Sequence, residues 1–155
     1  MASASSLYDS DFHEWASRTA EMLRAGTVEE GELGHIAEEI ESMGISQRRE
    51  LLSGVRVLLI HLLKWRLQPG LRSASWRATI NAQRREIADL LDQMPSLRPV
   101  LAAGFDKTYV RAIADAADET GLPGTDFPGS CPFSLDQALN PDFLPEPPAQ
   151  GLALE

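Results

Sequence analysis

A chain of 155 residues, 43% hydrophobic and 24% charged, is long enough to bury the core of one domain. These fractions are ordinary for a globular protein, and they disfavour global disorder. The single cysteine, Cys131, excludes an intramolecular disulfide and a cysteine-rich zinc site. The first residues are small and polar and predict no signal segment, and the most apolar run, residues 55–63, is too short to cross a bilayer. We therefore expect a cytoplasmic protein without a membrane segment.

The net charge of −9 is distributed unevenly along the chain. Residues 1–44 hold two basic and ten acidic side chains, residues 45–86 hold nine and two, and residues 87–155 hold three and eleven. The three segments therefore carry formal charges of −8, +7 and −8. Two interpretations follow: the basic segment packs between acidic neighbours and pairs with them, or it forms a surface that attracts an anionic partner.

The first predicted helix runs from Asp9 to Ala25. The Asp9 carboxylate is suited to accept an N–H of the first turn, and Gly26 stands where a helix C-terminal glycine belongs. Apolar or small side chains recur at spacings of three and four, which predicts one buried face. The members of this face are Phe12, Trp15, Ala16, Thr19, Met22 and Leu23.

The second predicted helix runs from Thr27 to Met43. Thr27 and Glu30 have the spacing of a capping box, and Gly44 is expected to end the helix. Its apolar side chains also recur at spacings of three and four, so we expect them to be buried. They are Leu33, Ile36, Ala37, Ile40 and Met43.

Three further helices are predicted: residues 46–68, a helix from Ser73 or Ser75 to Met94, and residues 96–121. The second half of the first of these is apolar around nearly its whole circumference, which is typical of a helix surrounded by others. It is therefore expected to form the centre of the domain.

The C-terminal stretch differs from the rest, because seven of the ten prolines lie from Pro123 onward. Phe127, Phe133 and Phe143 make it too apolar for a free linker. The sequence thus predicts an all-α fold, a bundle of about five helices with a Pro-rich C-terminal tail packed on it. We expect a single domain over residues 1–145, with the tail at 122–145, and fraying at 146–155.

Several motifs together resemble one family. They include EEIESMG at 38–44, RVLLIHLLKW at 56–65, SWRATI at 75–80 and CPFSL at 131–135. In this order, over residues 7–145, the chain resembles the bacterial family "domain of unknown function twenty-nine". The resemblance implies an all-α fold, and it supplies no activity, cofactor or catalytic residue.

A buried polar centre is the first candidate site. His61 lies within the apolar run of the central helix, and a buried imidazole needs hydrogen-bond partners. Glu39 and Glu41 lie at the edges of the apolar face of the second helix, and Gln83 lies between apolar residues of the fourth. We expect His61 to be mostly buried and bonded to a side chain of another helix. A structural histidine and a metal ligand or general base remain alternatives.

A basic surface is the second candidate site. The stretch 64–85 is rich in arginine. Arg77, Arg84 and Arg85, with Arg72 just before the fourth helix, are expected to project on the side away from its apolar face. They could meet acidic helices, a second copy or an anionic ligand. The sequence pI of about 4.8 disfavours nucleic acid.

These features favour a non-catalytic interaction or regulatory module that binds a protein partner or self-associates. The glycines are dispersed and form no phosphate-binding loop, and the three histidines lie on different helices. We therefore assign no catalytic residue, metal or cofactor. The alternatives are a metal- or small-molecule-dependent enzyme centred on His61 and the helix-two carboxylates, and a nucleic-acid-binding protein that uses residues 64–85.

Overall fold

The computed structural model describes residues 4–149, with side chains from residue 7 onward. Within this range there is no strand, which confirms the all-α class. Short 3₁₀ turns lie at Pro69–Leu71 and Gly124–Asp126. The α-helices are α1 (Ala4–Ser10), α2 (Phe12–Ala25), α3 (Glu30–Leu67), α4 (Ala74–Gln93), α5 (Leu97–Thr120) and α6 (Leu135–Leu139).

The start predicted for the first helix, at Asp9, is wrong. Asp9 lies inside α1, and the N-cap of α2 is Asp11, whose carboxylate accepts the N–H of Glu14 at 3.1 Å. An aspartate satisfies the free N–H groups of a first turn equally well from either position, so composition alone does not choose between them. Gly26 ends α2 as predicted, with a left-handed φ of 69°.

The break predicted at Gly44 is also wrong, because α3 continues through this glycine to Leu67. A glycine inside a helix costs about 1 kcal/mol relative to alanine, which weakens a long helix without ending it. The predicted capping box does not form at the start of α3 either. The Thr27 hydroxyl instead donates to the Met22 carbonyl at the end of α2.

The chain divides into two compact units between Gln47 and Arg48. The N-terminal unit comprises residues 4–47 of the described chain, and the C-terminal unit comprises residues 48–149. The division falls where the acidic segment gives way to the basic one. The single domain over 1–145 that the sequence indicates stays a prediction. Residues 150–155 of the stretch expected to fray lie outside the described residues, and residues 146–149 have no regular secondary structure.

The C-terminal unit is built around one apolar cluster. The second half of α3 supplies its centre, and Leu58, Leu59, Leu62 and Leu63 have no exposed surface. Because these residues cover the helix all round, neighbouring elements must pack on every side of it. The other members of the cluster come from α4, α5 and the segment after α5, and include Ile80, Ile87, Leu91, Leu101, Phe105, Tyr109, Ala112, Ala116, Phe127, Phe133 and Ala138.

Candidate functional site

The first half of α3 carries an exposed apolar face. We define the apolar face as Leu33, Ile36, Ala37, Ile40 and Met43. The sequence predicted that it is buried, and this prediction is wrong for most of it. Leu33, Ile40 and Met43 are 53%, 64% and 67% exposed, Ala37 is exposed and Ile36 is half-buried.

The reason is that α1 and α2 pack against a different, polar side of α3. The Trp15 indole Nε1–H donates to Glu32 at 2.9 Å, and the Tyr8 hydroxyl donates to Glu39 at 2.5 Å. The Tyr8 ring also stacks on His35, with centroids 4.1 Å apart and an angle of 6° between the planes. Glu32, His35 and Glu39 follow one another at spacings of three and four, so they share one side of the helix.

Directional contacts hold this polar interior together. Glu32 is only 3% exposed, and its carboxylate accepts the indole N–H of Trp15 and lies 3.7 Å from His35 Nδ1. The hydrogen bond to Glu39, together with desolvation and the bond to Glu38, raises the pKa of the Tyr8 phenol well above its usual value. Tyr8 is therefore a neutral donor, and it ties α1 to α3 through two carboxylates.

Exposed carboxylates lie beside the apolar face. Glu30 precedes Leu33 by one turn, Glu41 follows Ala37 by one turn, and both glutamates are exposed. The described part of the N-terminal unit contains ten acidic and two basic side chains. The arrangement can thus bind an apolar surface that carries basic groups at its edges.

The predicted polar centre needs correction at His61. The residue is partly buried, and its Nδ1 lies 2.8 Å from the carbonyl oxygen of Val57, one turn earlier in α3. The predicted side-chain partner from another helix is therefore wrong. Within a helix, the Nδ1 of a histidine can reach the backbone carbonyl four residues earlier, so this contact needs no other helix. Serine and threonine hydroxyls in helices make the same local contact.

The other members of that centre also have separate environments. Glu41 is exposed and so does not belong to a buried site, and Glu39 accepts the hydrogen bond from Tyr8. Gln83 is half-buried, and its Oε1 lies 3.0 Å from the point that a Cβ on Gly54 would occupy. Gly54 thus makes room for the amide of Gln83. Across the residues that the structure describes, no three His, Cys, Asp or Glu side chains are grouped to hold a metal ion.

The four arginines of the second candidate site do not form one exposed surface. Arg77 and Arg85 are exposed, as expected. The Arg72 guanidinium stacks over the Trp65 ring at 4.9 Å, and its Nε donates to the Trp65 carbonyl at 2.8 Å. Arg84 is 5% exposed, so the prediction that it projects from the surface is wrong.

Arg84 is buried because its guanidinium contacts the C-terminal end of α6. Its Nε donates to the carbonyl of Ala138 at 2.8 Å, and its Nη2 lies 3.5 Å from that of Gln137. These carbonyls belong to the last turn of a helix, where backbone acceptors lack partners inside the helix and a cation is favoured. A cavity of about 370 Å³ adjoins Arg84, and its other lining residues are Asn81, Arg85, Ala88, Leu139 and Pro141.

Local sequence patterns do not predict the contacts that organise the N-terminal unit. Trp15 and Glu32 are 17 residues apart, and Tyr8 and Glu39 are 31 apart, so no local pattern joins them. Arg84 did give a signal, because it lies four residues after Ile80 and three before Ile87, both of which are buried. That spacing places it on the apolar face of α4.

Fold and site together define an all-α protein with an exposed apolar helix face beside acidic side chains. The chain belongs to the family described as "Domain of unknown function DUF29", whose model matches residues 7–144. Neither a curated protein nor a solved structure shows significant similarity to it. Among the described residues, no helix combines the length and the hydropathy needed to cross a bilayer.

Proposed function

We propose that this protein is an interaction module whose N-terminal unit binds an amphipathic helix of a partner protein on the apolar face of α3. The observation that carries the proposal is the exposure of Leu33, Ile40 and Met43, each more than half accessible to solvent. Single exposed apolar side chains are ordinary on protein surfaces, whereas a row of them marks a binding surface. A non-catalytic role in the cytoplasm belongs to the same proposal.

The spacing of the face suits a helical partner. Leu33, Ile36, Ile40 and Met43 repeat with the alternating three- and four-residue steps that let two helices pack along a seam. A partner helix with apolar residues at matching positions would place its side chains between these four. This is a general mode of peptide recognition, in which an amphipathic helix lays its apolar side on an apolar surface.

The charge around the face selects among partners. Glu30 and Glu41 are exposed beside it, and the N-terminal unit carries a formal charge of −8. Two copies of this unit joined by the same face would bring two acidic surfaces together, which costs free energy. A partner helix with lysine or arginine at its edges would gain from the same charges. We therefore assign a basic amphipathic helix, rather than a second copy, as the occupant.

Two designed peptides test the assignment with the full-length protein. Both are helical and share one leucine seam, but one has lysine at its edges and the other glutamate. Fluorescence anisotropy at low and physiological salt should show binding of the lysine peptide only. The affinity should decrease with salt, because exposed charges are screened beyond about 8 Å at physiological ionic strength.

The matched variants are Ile40→Asp and Val110→Asp. Both residues are exposed to a similar extent, 64% and 61%, and Val110 lies on α5 in the C-terminal unit. Ile40→Asp should abolish binding of the lysine peptide and Val110→Asp should leave it unchanged, with circular dichroism confirming that both variants fold. Equal binding of both peptides, or full binding by Ile40→Asp, would overturn the proposal. Sedimentation that shows a dimer, converted to a monomer by Ile40→Asp, would replace the partner helix with a second copy.

A further inference from the structure

Arg84 in the C-terminal unit is a buried cation whose hydrogen bonds are incomplete. Its Nε and Nη2 face the carbonyls of Ala138 and Gln137, but its Nη1 is enclosed and has no hydrogen-bond partner within the described part of the chain. Of the residues that the structure describes, no carboxylate forms an ion pair with it. The carbonyls at a helix end carry only a fraction of a charge, so the guanidinium has no full counter-charge.

This uncompensated charge borders the cavity of about 370 Å³. Among the described residues, the polar lining of the cavity consists of Asn81, Arg84 and Arg85, with no acidic side chain. Ala88, Leu139 and Pro141 supply an apolar wall. A volume near the lower end of the range for ligand pockets suits a small molecule.

A smaller neighbouring cavity gives Arg84 no counter-ion. That cavity, of about 160 Å³, is also lined by Arg84, and Asp92 is the acidic residue in its lining. The Asp92 carboxylate forms an ion pair with Arg98 at 3.4 Å. Burial lowers the pKa of Arg84, because it removes water from the charged guanidinium. A ligand anion would relieve this cost, because an opposite charge within a few ångströms favours the charged guanidinium.

We propose that the cavity beside Arg84 binds a small organic anion, with a carboxylate or phosphate group against Arg84 and Arg85 and a short apolar group against Leu139 and Pro141. Asn81 offers an amide that can donate to the same anion. Paired arginines suit this role, because their planar guanidinium groups match the geometry of carboxylates and phosphates. The site lies wholly within the C-terminal unit and does not depend on the apolar face of α3.

Four probes separate the components of this recognition. Phenyl phosphate and benzoate carry an aromatic ring with each kind of anion, inorganic phosphate lacks the ring, and benzamide lacks the charge. Titration of the full-length protein, followed by amide NMR, should give saturable shifts at Asn81, Arg85 and Leu139 for phenyl phosphate, benzoate or both. Benzamide should give none, and inorganic phosphate should bind more weakly than phenyl phosphate. The stronger of the two aromatic anions identifies the preferred acid group.

Arg85→Gln is the decisive variant, because Arg85 is exposed and forms no ion pair with any described residue. It should weaken binding about tenfold by removing a charge-assisted hydrogen bond. Arg77→Gln removes an exposed arginine from the same helix and should leave the affinity unchanged. Absence of saturable binding by every probe, equal binding of benzamide, or an equal loss in both variants would overturn the proposal.

Discussion

The two units place their apolar side chains in opposite ways. In the C-terminal unit the apolar residues of α3, α4 and α5 form a continuous core. In the described part of the N-terminal unit, the buried side chains are Trp15, Thr19 and Glu32. Six of the eight large apolar side chains that are exposed in the described chain belong to this unit, namely Phe12, Leu23, Leu33, Ile40, Met43 and Ile45.

This difference shows that one helix can serve two purposes along its length. Residues 48–67 of α3 are stabilised by burial of apolar area, which contributes about 25 cal/mol per Å². Residues 30–47 are tied to α1 and α2 mainly by directional contacts, namely hydrogen bonds to carboxylates and a stacked ring pair. The first half therefore keeps its apolar side chains available for a partner, and we expect it to open at a lower free energy than the second half.

The largest expected effect on stability comes from replacing one leucine by alanine in each half of α3. Leu58→Ala removes a side chain with no exposed surface, and we expect it to lower the free energy of unfolding by about 2–5 kcal/mol. Leu33→Ala changes a side chain that is 53% exposed, and we expect an effect within about 0.5 kcal/mol. Urea denaturation followed by circular dichroism measures both. A cost at Leu33 comparable to that at Leu58 would mean that the apolar face is covered in solution.

The polar interior of the N-terminal unit gives the second effect. Trp15→Phe keeps an aromatic ring but removes the N–H that donates to the buried Glu32 carboxylate at 2.9 Å. A hydrogen bond to a charged group contributes about 1.5–3 kcal/mol. Because its loss lowers the free energy of local opening, amide hydrogen exchange in α2 should become faster. Amides of residues 58–63 should keep their protection. Leu23→Ala, at a side chain of α2 that is 51% exposed, is the control and should leave exchange in α2 nearly unchanged.

Much of the fold could be predicted because periodicity and burial coincide in the C-terminal unit. The bounds predicted for the fourth and fifth helices lie within one residue of those of α4 and α5, and apolar residues on these helices, such as Ile80, Leu101 and Phe105, are buried. The same spacing failed at Leu33 and Ile40. A three- and four-residue repeat shows that a helix has an apolar side, but it does not show whether the chain itself covers that side.

The candidate site was harder to predict because its contacts are tertiary. A glutamate at position 32 reads as a solvated charge until Trp15 is placed against it. The charged neighbours of Arg84 in the sequence indicate an exposed position, although its spacing from Ile80 and Ile87 places it on the buried side of α4. What decides its position is the carbonyl of Ala138, 54 residues later in the chain. Local patterns therefore identified the residue types of the site, and the long-range contacts determined their roles.

The smallest expected effect on stability comes from Tyr109 in the C-terminal unit. Its phenol places a polar hydroxyl in an otherwise apolar core. Tyr109 is 1% exposed, and its hydroxyl donates to the carbonyl of Pro128 at 2.6 Å. Tyr109→Phe keeps the ring and leaves this carbonyl without its donor, so at neutral pH we expect a loss of about 0.5–1.5 kcal/mol. Urea denaturation of the two proteins measures the difference.

The pH dependence of that difference gives a sharper test. Burial, followed by the nearby Cys131, raises the pKa of Tyr109 from 10.0 to about 12. The folded protein therefore keeps a proton that the unfolded chain releases near pH 10. The stabilisation from this proton is complete below pH 10 and is lost as the pH rises from about 10 through about 12. Wild-type stability should thus fall toward that of Tyr109→Phe across this window. Other groups titrate in this range in both proteins, so only the difference in the free energy of unfolding between them reports on Tyr109. A difference that stays constant from pH 9 to pH 12 would contradict a buried, protonated phenol.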